Sequence, residues 1–338
     1  MDLGFEPSRI AVIQTAFLGD VVFTSPLVCA LKLAWPRAQI TFVCKPRALE
    51  LARCIPGVTD AISYDKQGKD RGAAGLWRIA RSLRGTELAM VPHPSLRSAL
   101  LAYLSRAPVR VGPAHRWVRS LYTVPVPPRL REPFVERSLD LARALGVDAP
   151  TELRLVAPQG ADARARELLG ERPSVGLVIG SEWETKRWPA ESFAALAERL
   201  AAAGLRPVLL GAPSERPLAE AVKAKLERAE VLDLVGNEIV ESVGVIAHLR
   251  AVVGGDSGLV HVGRALGTPA LLLFGPTDPG AHTLEPHAQA LRLGLPCQPC
   301  HAHGQRACPL GHHDCMKKLD VERVWGALLS LMPREAVE

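Results

Sequence analysis

Two stretches of the sequence place cations and hydroxyl groups where they could hold a phosphate. In "GSEWETKRWP", residues 180–189, Ser181 offers a hydroxyl, and Lys186 and Arg187 offer positive charge beside a Trp-Pro pair that would fix the loop. Cations held in place stabilise the charge of a departing diphosphate. The stretch therefore indicates phosphate chemistry, although a Lys-Arg pair is also commonplace on surface loops.

The second stretch is "GGDSGLVHVGRALGTP", residues 254–269, in which glycines surround Asp256 and Ser257. Ser257 and Gly258 open a predicted helix, whose first backbone amides can bind phosphate. The spacing matches neither a Walker loop nor a dinucleotide fingerprint. His261 follows Ser257 by one helical turn and faces the same side, and a buried histidine without a chemical role is the alternative there.

A lone acid, Asp20, lies in "TAFLGDVVFTSP", residues 15–26, at the end of the first apolar run. An acid at the start of a helix is often only a cap, which stabilises by about 0.5–2 kcal/mol. A functional carboxylate is the alternative, and it gains weight because residues 180–189 and 254–269 also follow predicted strands. A fourth strand end, "FGPTDP" at residues 274–279, is a rigid turn that offers Thr277.

Short apolar runs rich in β-branched residues alternate with amphipathic segments along the whole chain. This alternation predicts right-handed βαβ units and parallel sheets. It runs once through the first half and restarts at "SVGLVIGS", so a domain boundary is expected near residues 150–173. The fold class is α/β, with two Rossmann-like domains. Because such sheets bind ligands beyond the carboxyl ends of their strands, we expect all four motifs to line one cleft.

Positive charge is concentrated in the first half of the chain. Residues 1–150 carry a net charge of +9 and the remainder −3, and residues 66–119 contain 11 basic side chains against two acids. Such a stretch favours an anionic partner, namely phosphorylated lipid, a membrane surface or nucleic acid, although an arginine-rich composition spread over solvated helices explains part of the excess. Neither a membrane-spanning apolar run nor a signal peptide is recognisable, which predicts a cytoplasmic protein.

Four motifs together resemble glycosyltransferase family 9, the lipopolysaccharide heptosyltransferases. They are "TAFLGDVVFTSPL", "KRWP", "GGDSGLVHVGRALGTPALLLFGPTDP" and "CQPCHAHGQRACPLGHHDCM", in this order and spacing. The resemblance implies a GT-B fold with an acceptor-binding domain at residues 1–155 and a nucleotide-sugar-binding domain at 156–320. A last helix, within 321–338, is expected to pack back on the first domain. The cysteine-rich tail is most similar to the heptosyltransferase II branch.

The resemblance also implies a reaction and the residues that carry it. An inverting transfer moves L-glycero-D-manno-heptose from ADP-heptose to the lipopolysaccharide inner core, as the second heptose, without a catalytic metal. Asp20 is then the general base and Lys186 the cation on the donor phosphates. The other donor-site residues are Ser181, Glu215, Asp256, Ser257, Gly258 and His261.

The acceptor implied is phosphorylated lipid A–Kdo–heptose at the inner face of the inner membrane. Its phosphates and carboxylates suit the basic stretch, where Arg97, Arg116 and Arg119 are the expected contacts. Two transfer alternatives stay open, namely addition of the first heptose and use of another nucleotide sugar. An alternative of another class is a non-catalytic, zinc-clipped nucleic-acid-binding protein, but it leaves Asp20 and Lys186 unexplained, so no nucleic-acid partner is expected.

The cysteine-rich segment contains Cys297, Cys300, Cys308 and Cys315, interleaved with four histidines. The spacing C-x2-C-x7-C-x6-C is close to a structural zinc pattern, and disulfides are not expected in the cytoplasm. However, the second half does not repeat C-x2-C, so free thiols that pack an irregular loop are the alternative.

Overall fold

A computed structural model describes residues 4–148 and 150–332 of the chain. The chain divides into two compact units, each with its own core. The first extends to residue 156 and also takes in residues 281–283, which return to it from the second half. The second comprises residue 157 onward without those three residues.

The first unit is built on one parallel sheet of six strands. The strands are β1 Arg9–Ile13, β2 Gln39–Cys44, β3 Val58–Ser63, β4 Leu88–Met90, β5 Val109–Pro113 and β6 Val124–Val126. The helices are α1 Leu18–Phe23, α2 Ser25–Ala34, α3 Leu49–Arg53, α4 Gly72–Ser82, α5 Leu96–Leu104 and α6 Phe134–Arg143. The sheet order is β3-β2-β1-β4-β5-β6.

The second unit repeats this plan. Its strands are β7 Ser174–Val178, β8 Arg206–Leu210, β9 Leu232–Asp233, β10 Ala251–Gly255, β11 Ala270–Leu273 and β12 Ala288–Leu291. Its helices are α7 Gln159–Leu169, α8 Ala190–Ala202, α9 Arg216–Lys223, α10 Ile239–Ala247, α11 Gly258–Leu266, α12 Asp314–Lys317 and α13 Val321–Leu331. The order β12-β11-β10-β7-β8-β9 is the same topology, with β7 in the place of β1.

Burial explains why the sequence forms these sheets. The central strands β1, β7 and β10 are apolar on both faces, as parallel strands covered by helices must be, and their residues are buried almost without exception. In both units the strand order reverses between the first and fourth strands, which opens a crevice at the carboxyl ends where ligands of such sheets bind. Asp20 follows β1, Lys186 follows β7 and Asp256 follows β10, each at its unit's crevice.

The last helix does not pack as predicted. The interpretation of residues 321–338 placed it on the first domain, whereas α13 packs on α8 and on β10, β11 and β12 of the second unit. Val324 and Leu328 are buried in that unit's core, because the helix covers an apolar face of the second sheet. Strand β12, which the sequence pattern did not reveal, extends this face. Residues 333–338 lie outside the described residues.

Among the residues that the structure describes, no helix has both the length and the apolar character needed to cross a membrane.

Candidate functional site

The loop after β7 carries Lys186 at the end of a short 3-10 turn, Glu184–Lys186. The neighbouring cation, Arg187, makes different contacts. Arg187 donates from Nε and Nη2 to the backbone carbonyl of Ser181, at 3.1 and 2.9 Å, and so ties the two ends of the loop together. Trp188 is buried and donates to the carbonyl of Leu319. The loop is therefore fixed at its base, and Lys186 is the cation directed at the adjacent strand.

Lys186 forms an ion pair with Asp256, the residue that follows β10. Nζ lies 2.6 Å from Oδ2, and the two side chains are only 12% and 7% exposed. Gly255 makes this approach possible, since a Cβ there would collide with the carbonyl oxygen of Lys186. Gly255 thus serves the close packing of the lysine loop on the strand end, whereas a Cβ on Gly254 would collide with Val178 of β7.

Asp256 joins several polar groups. Besides Lys186, its Oδ2 accepts a hydrogen bond of 2.9 Å from the Thr277 hydroxyl, and its Oδ1 lies 2.9 Å from Nε2 of His261. Because a carboxylate that accepts several hydrogen bonds is favoured in its charged form, this arrangement supplies a fixed negative charge that holds the lysine ammonium in place.

A second, fully buried ion pair lies behind His261. Arg264 is 1% exposed, and its Nε donates to Glu285 at 2.8 Å. Its Nη1 lies 3.1 Å from Nδ1 of His261. Since an arginine only donates, Nδ1 must accept, and the imidazole proton resides on Nε2, which donates to Asp256. The orientation of the histidine ring is thereby fixed from both sides.

Ser257 occupies the N-cap position of helix α11 without a capping hydrogen bond from its side chain, and Gly258 is the first residue of the helix. The Ser257 hydroxyl is buried and has no hydrogen-bonding partner among the described residues. A buried polar atom without a partner is costly, so this hydroxyl and the amides that open the helix together form an unsatisfied donor site for an anion. It lies directly after Asp256 in the chain, next to Lys186.

Glu215 lies at the carboxyl end of the neighbouring strand β8. Its Oε2 accepts from the backbone amide of Ala212 at 2.7 Å. Burial raises the pKa of this carboxyl, whereas the Ala212 amide and the charge of Arg187 lower it. Its carboxylate occupies the space where a Cβ of Gly180 would stand. The structure therefore brings Glu215 to the same loop as Ser181 and Lys186.

Asp20 is the third residue of α1, and it is half-buried. Its Oδ2 accepts from the backbone amide of Phe17 at 2.9 Å, so the capping interpretation is correct as far as this oxygen is concerned. Gln14 and Thr24, both buried, are hydrogen bonded to each other beneath it, and the Thr24 hydroxyl donates to the Asp20 carbonyl. The carboxylate is consequently held at a defined position at the end of β1.

The three arginines expected at the acceptor are placed differently. Arg97 is half-buried and donates to the carbonyl of Lys66, whose ammonium in turn donates to Thr15 at the end of β1. Burial lowers the pKa of Lys66, and the nearby charges of Lys45 and Arg97 lower it further. Arg116 and Arg119 are exposed in the segment that follows β5.

The cysteines at 297, 300, 308 and 315 are free thiols. Burial and, to a smaller extent, the three other thiols raise the pKa of Cys315 to about 11. The donor set suits zinc, but Zn–S bonds of about 2.3 Å require closely spaced sulfurs. Within residues 4–148 and 150–332, no three ligand atoms of this segment lie within 4.8 Å of one another. The arrangement seen is therefore too open for a tetrahedral site.

The cysteine-rich segment also supports the lysine loop. Thr185 exchanges hydrogen bonds with the backbone of Gln305, and the Thr185 carbonyl is bonded to Nε2 of His313 at 2.8 Å. A Cβ on Gly304 would lie 3.1 Å from both Cγ and Cε of Lys186. These contacts and the Arg264–Glu285 pair could not be predicted from the sequence, because each joins residues that are distant in the chain and occur in no shared motif.

Comparisons with known proteins place the chain in a family. The model of glycosyltransferase family 9 (heptosyltransferase) matches residues 76–310. The chain is 30% identical to lipooligosaccharide heptosyltransferase 2 of Haemophilus influenzae, over 80% of this chain and 84% of that protein. It is 31% identical to lipopolysaccharide heptosyltransferase 1 of Pseudomonas aeruginosa, over 86% of both.

The solved structure of Escherichia coli ADP-heptose lipopolysaccharide heptosyltransferase II superposes with a TM-score of 0.80 and 27% identity, over 96% of this chain and 98% of that chain. The two six-stranded parallel sheets and this likeness confirm the predicted GT-B fold. The chain belongs to glycosyltransferase family 9, the heptosyltransferase family, and is a glycosyltransferase.

Proposed function

We propose that this glycosyltransferase moves L-glycero-D-manno-heptose from ADP-heptose to the inner core of lipopolysaccharide, as the second heptose and with inversion. The observation that carries the proposal is the cluster of Lys186, Asp256 and the unpartnered Ser257 hydroxyl at the start of α11. A cation, a buried donor and helix amides at one strand end suit a nucleoside diphosphate. The names of the relatives, which are lipopolysaccharide and lipooligosaccharide heptosyltransferases, support an acceptor of this class.

In the proposed mechanism the donor diphosphate binds at Lys186 and at the amides of Ser257 and Gly258. Lys186 is the cation for this task because Arg187 is engaged with the Ser181 carbonyl. As the bond between the anomeric carbon and the phosphate oxygen breaks, the electron pair stays with ADP, and Lys186 stabilises the growing charge. This charge stabilisation needs no metal ion. Glu215, next to the loop, accepts hydrogen bonds from the ribose hydroxyls.

The acceptor hydroxyl attacks the anomeric carbon from the side opposite the diphosphate. Its proton passes to Asp20, whose Oδ2 is fixed by the Phe17 amide while Oδ1 remains to act as the base. A single displacement of this kind inverts the configuration of the sugar. Asp20 belongs to the first unit and Lys186 to the second.

One assay tests the activity and the position of the transferred sugar. The protein is incubated with ADP-L-glycero-D-manno-heptose and lipid acceptors that carry either no heptose or one heptose, and the products are weighed by mass spectrometry. We expect addition to the one-heptose acceptor. Addition to the heptose-free acceptor alone would instead identify the first transferase, an outcome that must be tested because relatives of both kinds match the chain about equally.

Two further measurements test the donor and the stereochemistry. Release of ADP is compared across a panel of nucleotide sugars, and preference for another donor would overturn the donor assignment. The anomeric configuration of the new linkage is compared with that of the donor by NMR, and retention would contradict the single displacement. Addition of EDTA should leave turnover unchanged if Lys186 supplies the stabilising charge.

A structural zinc ion at the four cysteines stays a prediction. Metal analysis of protein purified without added zinc tests it, and near-stoichiometric zinc would show that the loop closes around the ion. The proposed acceptor also implies that the protein works at the inner face of the inner membrane, as a peripheral protein.

A further inference from the structure

One face of the first unit combines exposed aromatic side chains with arginines. It is formed by α4, α5 and residues 115–121, and we call it the α4–α5 face. Helix α5 packs against both α4 and the 3-10 turn Arg119–Leu121, so the three elements are adjacent. Its large apolar side chains are 50–82% exposed, namely Trp77, Leu96, Tyr103 and Trp117.

The inward side of the same elements is already committed to the core. Ile79, Ala99 and Val118 are buried in one cluster beneath the sheet. Trp77 and Trp117 therefore lie on the outward side of amphipathic segments and are not needed to complete the core. Single exposed apolar residues are normal, but four large ones on adjacent elements mark a surface that binds something.

The charge on this face is strongly one-sided. Residues 71–121 contain nine arginines and a single acid, Glu87. That carboxylate accepts hydrogen bonds from Ser8 and Arg9, at the beginning of β1. Exposed arginines on the face include Arg81, Arg106, Arg116 and Arg119, and the Arg116 guanidinium lies over the Trp117 ring, 5.9 Å from its centroid.

We propose that the α4–α5 face is the surface by which this protein docks on an anionic lipid bilayer. Tryptophan and tyrosine prefer the headgroup level of a membrane, where an apolar ring and a polar edge are both satisfied. Arginines beside them attract anionic headgroups, at about fivefold in affinity for each one near the surface. The exposed Leu96 favours lipid over nucleic acid, since bases stack on aromatic rings and gain little from leucine.

The inference deepens the proposed function, on which it rests in one respect, namely that the acceptor is anchored in lipid. Docking by this face would hold the first unit, which contains Asp20, at the membrane surface. The binding test below uses no sugar, so its failure can be told apart from failure of the transfer reaction.

The first experiment measures co-sedimentation of the full chain with vesicles. We expect binding to phosphatidylcholine mixed with phosphatidylglycerol, weak binding to phosphatidylcholine alone, and a loss of affinity as salt is raised, because exposed charges are screened. Tight binding to duplex DNA without binding to either vesicle would overturn the proposal in favour of a nucleic-acid surface.

Matched variants locate the surface. Arg81→Glu with Arg106→Glu should weaken binding to the anionic vesicles by more than about tenfold. The control, Arg172→Glu with Arg228→Glu, changes the net charge equally at exposed positions of the second unit and should bind nearly as the parent does. Equal losses in both pairs would show that net charge, and not this face, governs binding.

The role of the tryptophans is tested by measuring how deeply they enter the bilayer. In vesicles with brominated acyl chains, the tryptophan fluorescence of the parent should be quenched. Quenching should be largely absent in the double variant Trp77→Ser with Trp117→Ser. The control variant Leu33→Ser with Leu310→Ser, at exposed sites elsewhere, should be quenched as the parent is. The Trp77/Trp117 variant should also lose activity on vesicle-borne acceptor while it retains activity on a deacylated, water-soluble one. Unchanged quenching, or self-association of the parent that disappears in the tryptophan variant, would refute docking on lipid.

Discussion

At the scale of single residues, Asp20 combines an observed capping contact with a proposed chemical role. The carboxylate caps a six-residue helix through the Phe17 amide, and the proposed mechanism assigns it the acceptor proton. Asparagine keeps a side-chain oxygen for the amide but cannot act as a base at neutral pH. The substitution therefore separates the structural contribution from the chemical one.

We predict that Asp20→Asn lowers kcat by about 10²–10⁴-fold, the usual contribution of a general base, while the affinity for ADP-heptose stays within about twofold. Steady-state kinetics and calorimetric titration measure the two quantities. Asp65→Asn is the control, because Asp65 also accepts backbone hydrogen bonds in the first unit. Turnover of Asp20→Asn close to that of the parent would contradict the assignment.

Glu215 offers a prediction on stability. Its pKa is raised in the folded protein, mainly by burial, so folding favours the protonated form and the charged form costs stability at neutral pH. We expect Glu215→Gln to raise the free energy of unfolding slightly at pH 7, and the gain to disappear as pH falls below about 4.3, the ordinary pKa of glutamate. Donor affinity should fall in the same variant.

Denaturant unfolding at several pH values measures this dependence. A gain that persists at pH 3 would mean that the amide stabilises by a route other than charge. Unchanged donor affinity would remove Glu215 from the proposed ribose site and leave the stability result intact.

At the scale of elements, strand ends were more predictable than the contacts between loops. The strand and helix alternation, and the motifs after β1, β7 and β10, follow from local apolar periodicity, which acts over a few residues. Strand β12 and the edge strand β6 were missed because their residues are half-buried and lack a clear pattern. The apolar run "EVLDLVG" forms a strand only at Leu232–Asp233, where it pairs with β8.

In the candidate site too, local motifs were predictable and tertiary contacts were not. Sequence motifs named Lys186, Asp256 and His261, whereas the Arg264–Glu285 pair and the support of Lys186 by the cysteine-rich segment depend on tertiary packing. No pattern of spacing predicts that Thr185 bonds to a backbone 120 residues later. The proposed choice of Lys186 over Arg187 as the phosphate-facing cation likewise rests on the hydrogen bonds of Arg187 to the Ser181 carbonyl, which the sequence does not reveal.

We predict that Gly304→Ala lowers the affinity for ADP by about tenfold, because its Cβ would lie 2.8 Å from Cβ of Trp183 and 3.1 Å from the Lys186 side chain, so the lysine loop would have to shift. Gly311→Ala is a matched control, since Gly311 also has a positive φ in the same segment but an added Cβ there meets open space. Calorimetry with ADP gives the affinities. If the effect acts through Lys186, Gly304→Ala should add nothing in a Lys186→Met background.

An additive loss in that double variant would show that Gly304 acts on the fold and not on the lysine. If Lys186→Met alone leaves ADP binding unchanged, the assignment of Lys186 to the diphosphate is itself wrong.

At the scale of the whole molecule, the last helix belongs to the second unit. Leu328 is fully buried there against α8 and the edge of the sheet. Truncation of a buried leucine to alanine typically costs about 2–5 kcal/mol, through lost burial and the cavity left behind. The prediction on residues 321–338 was wrong because helix periodicity reveals that one face is apolar but not which surface will cover it.

We predict that Leu328→Ala speeds amide hydrogen exchange in α8 and in β10–β12 but leaves β1, β2 and β4 nearly unchanged. Exchange followed by mass spectrometry gives this comparison within one molecule. Leu310→Ala, at an exposed position of the same unit, is the control. Faster exchange in the first sheet as well would mean that the two cores unfold as one.

The return of residues 281–283 to the first unit has a practical consequence for hybrid enzymes. The ring of His282 lies about 5.4 Å from those of Phe23 and Phe134, so the first unit is completed by a side chain encoded far downstream. In a chimera with a single junction near residue 156, residues 281–283 would come from the parent of the second unit. The residue at position 282 would then not match the first unit on which it packs. Exchanging acceptor units between relatives therefore calls for a second, three-residue graft at 281–283, without which the aromatic trio would be mismatched.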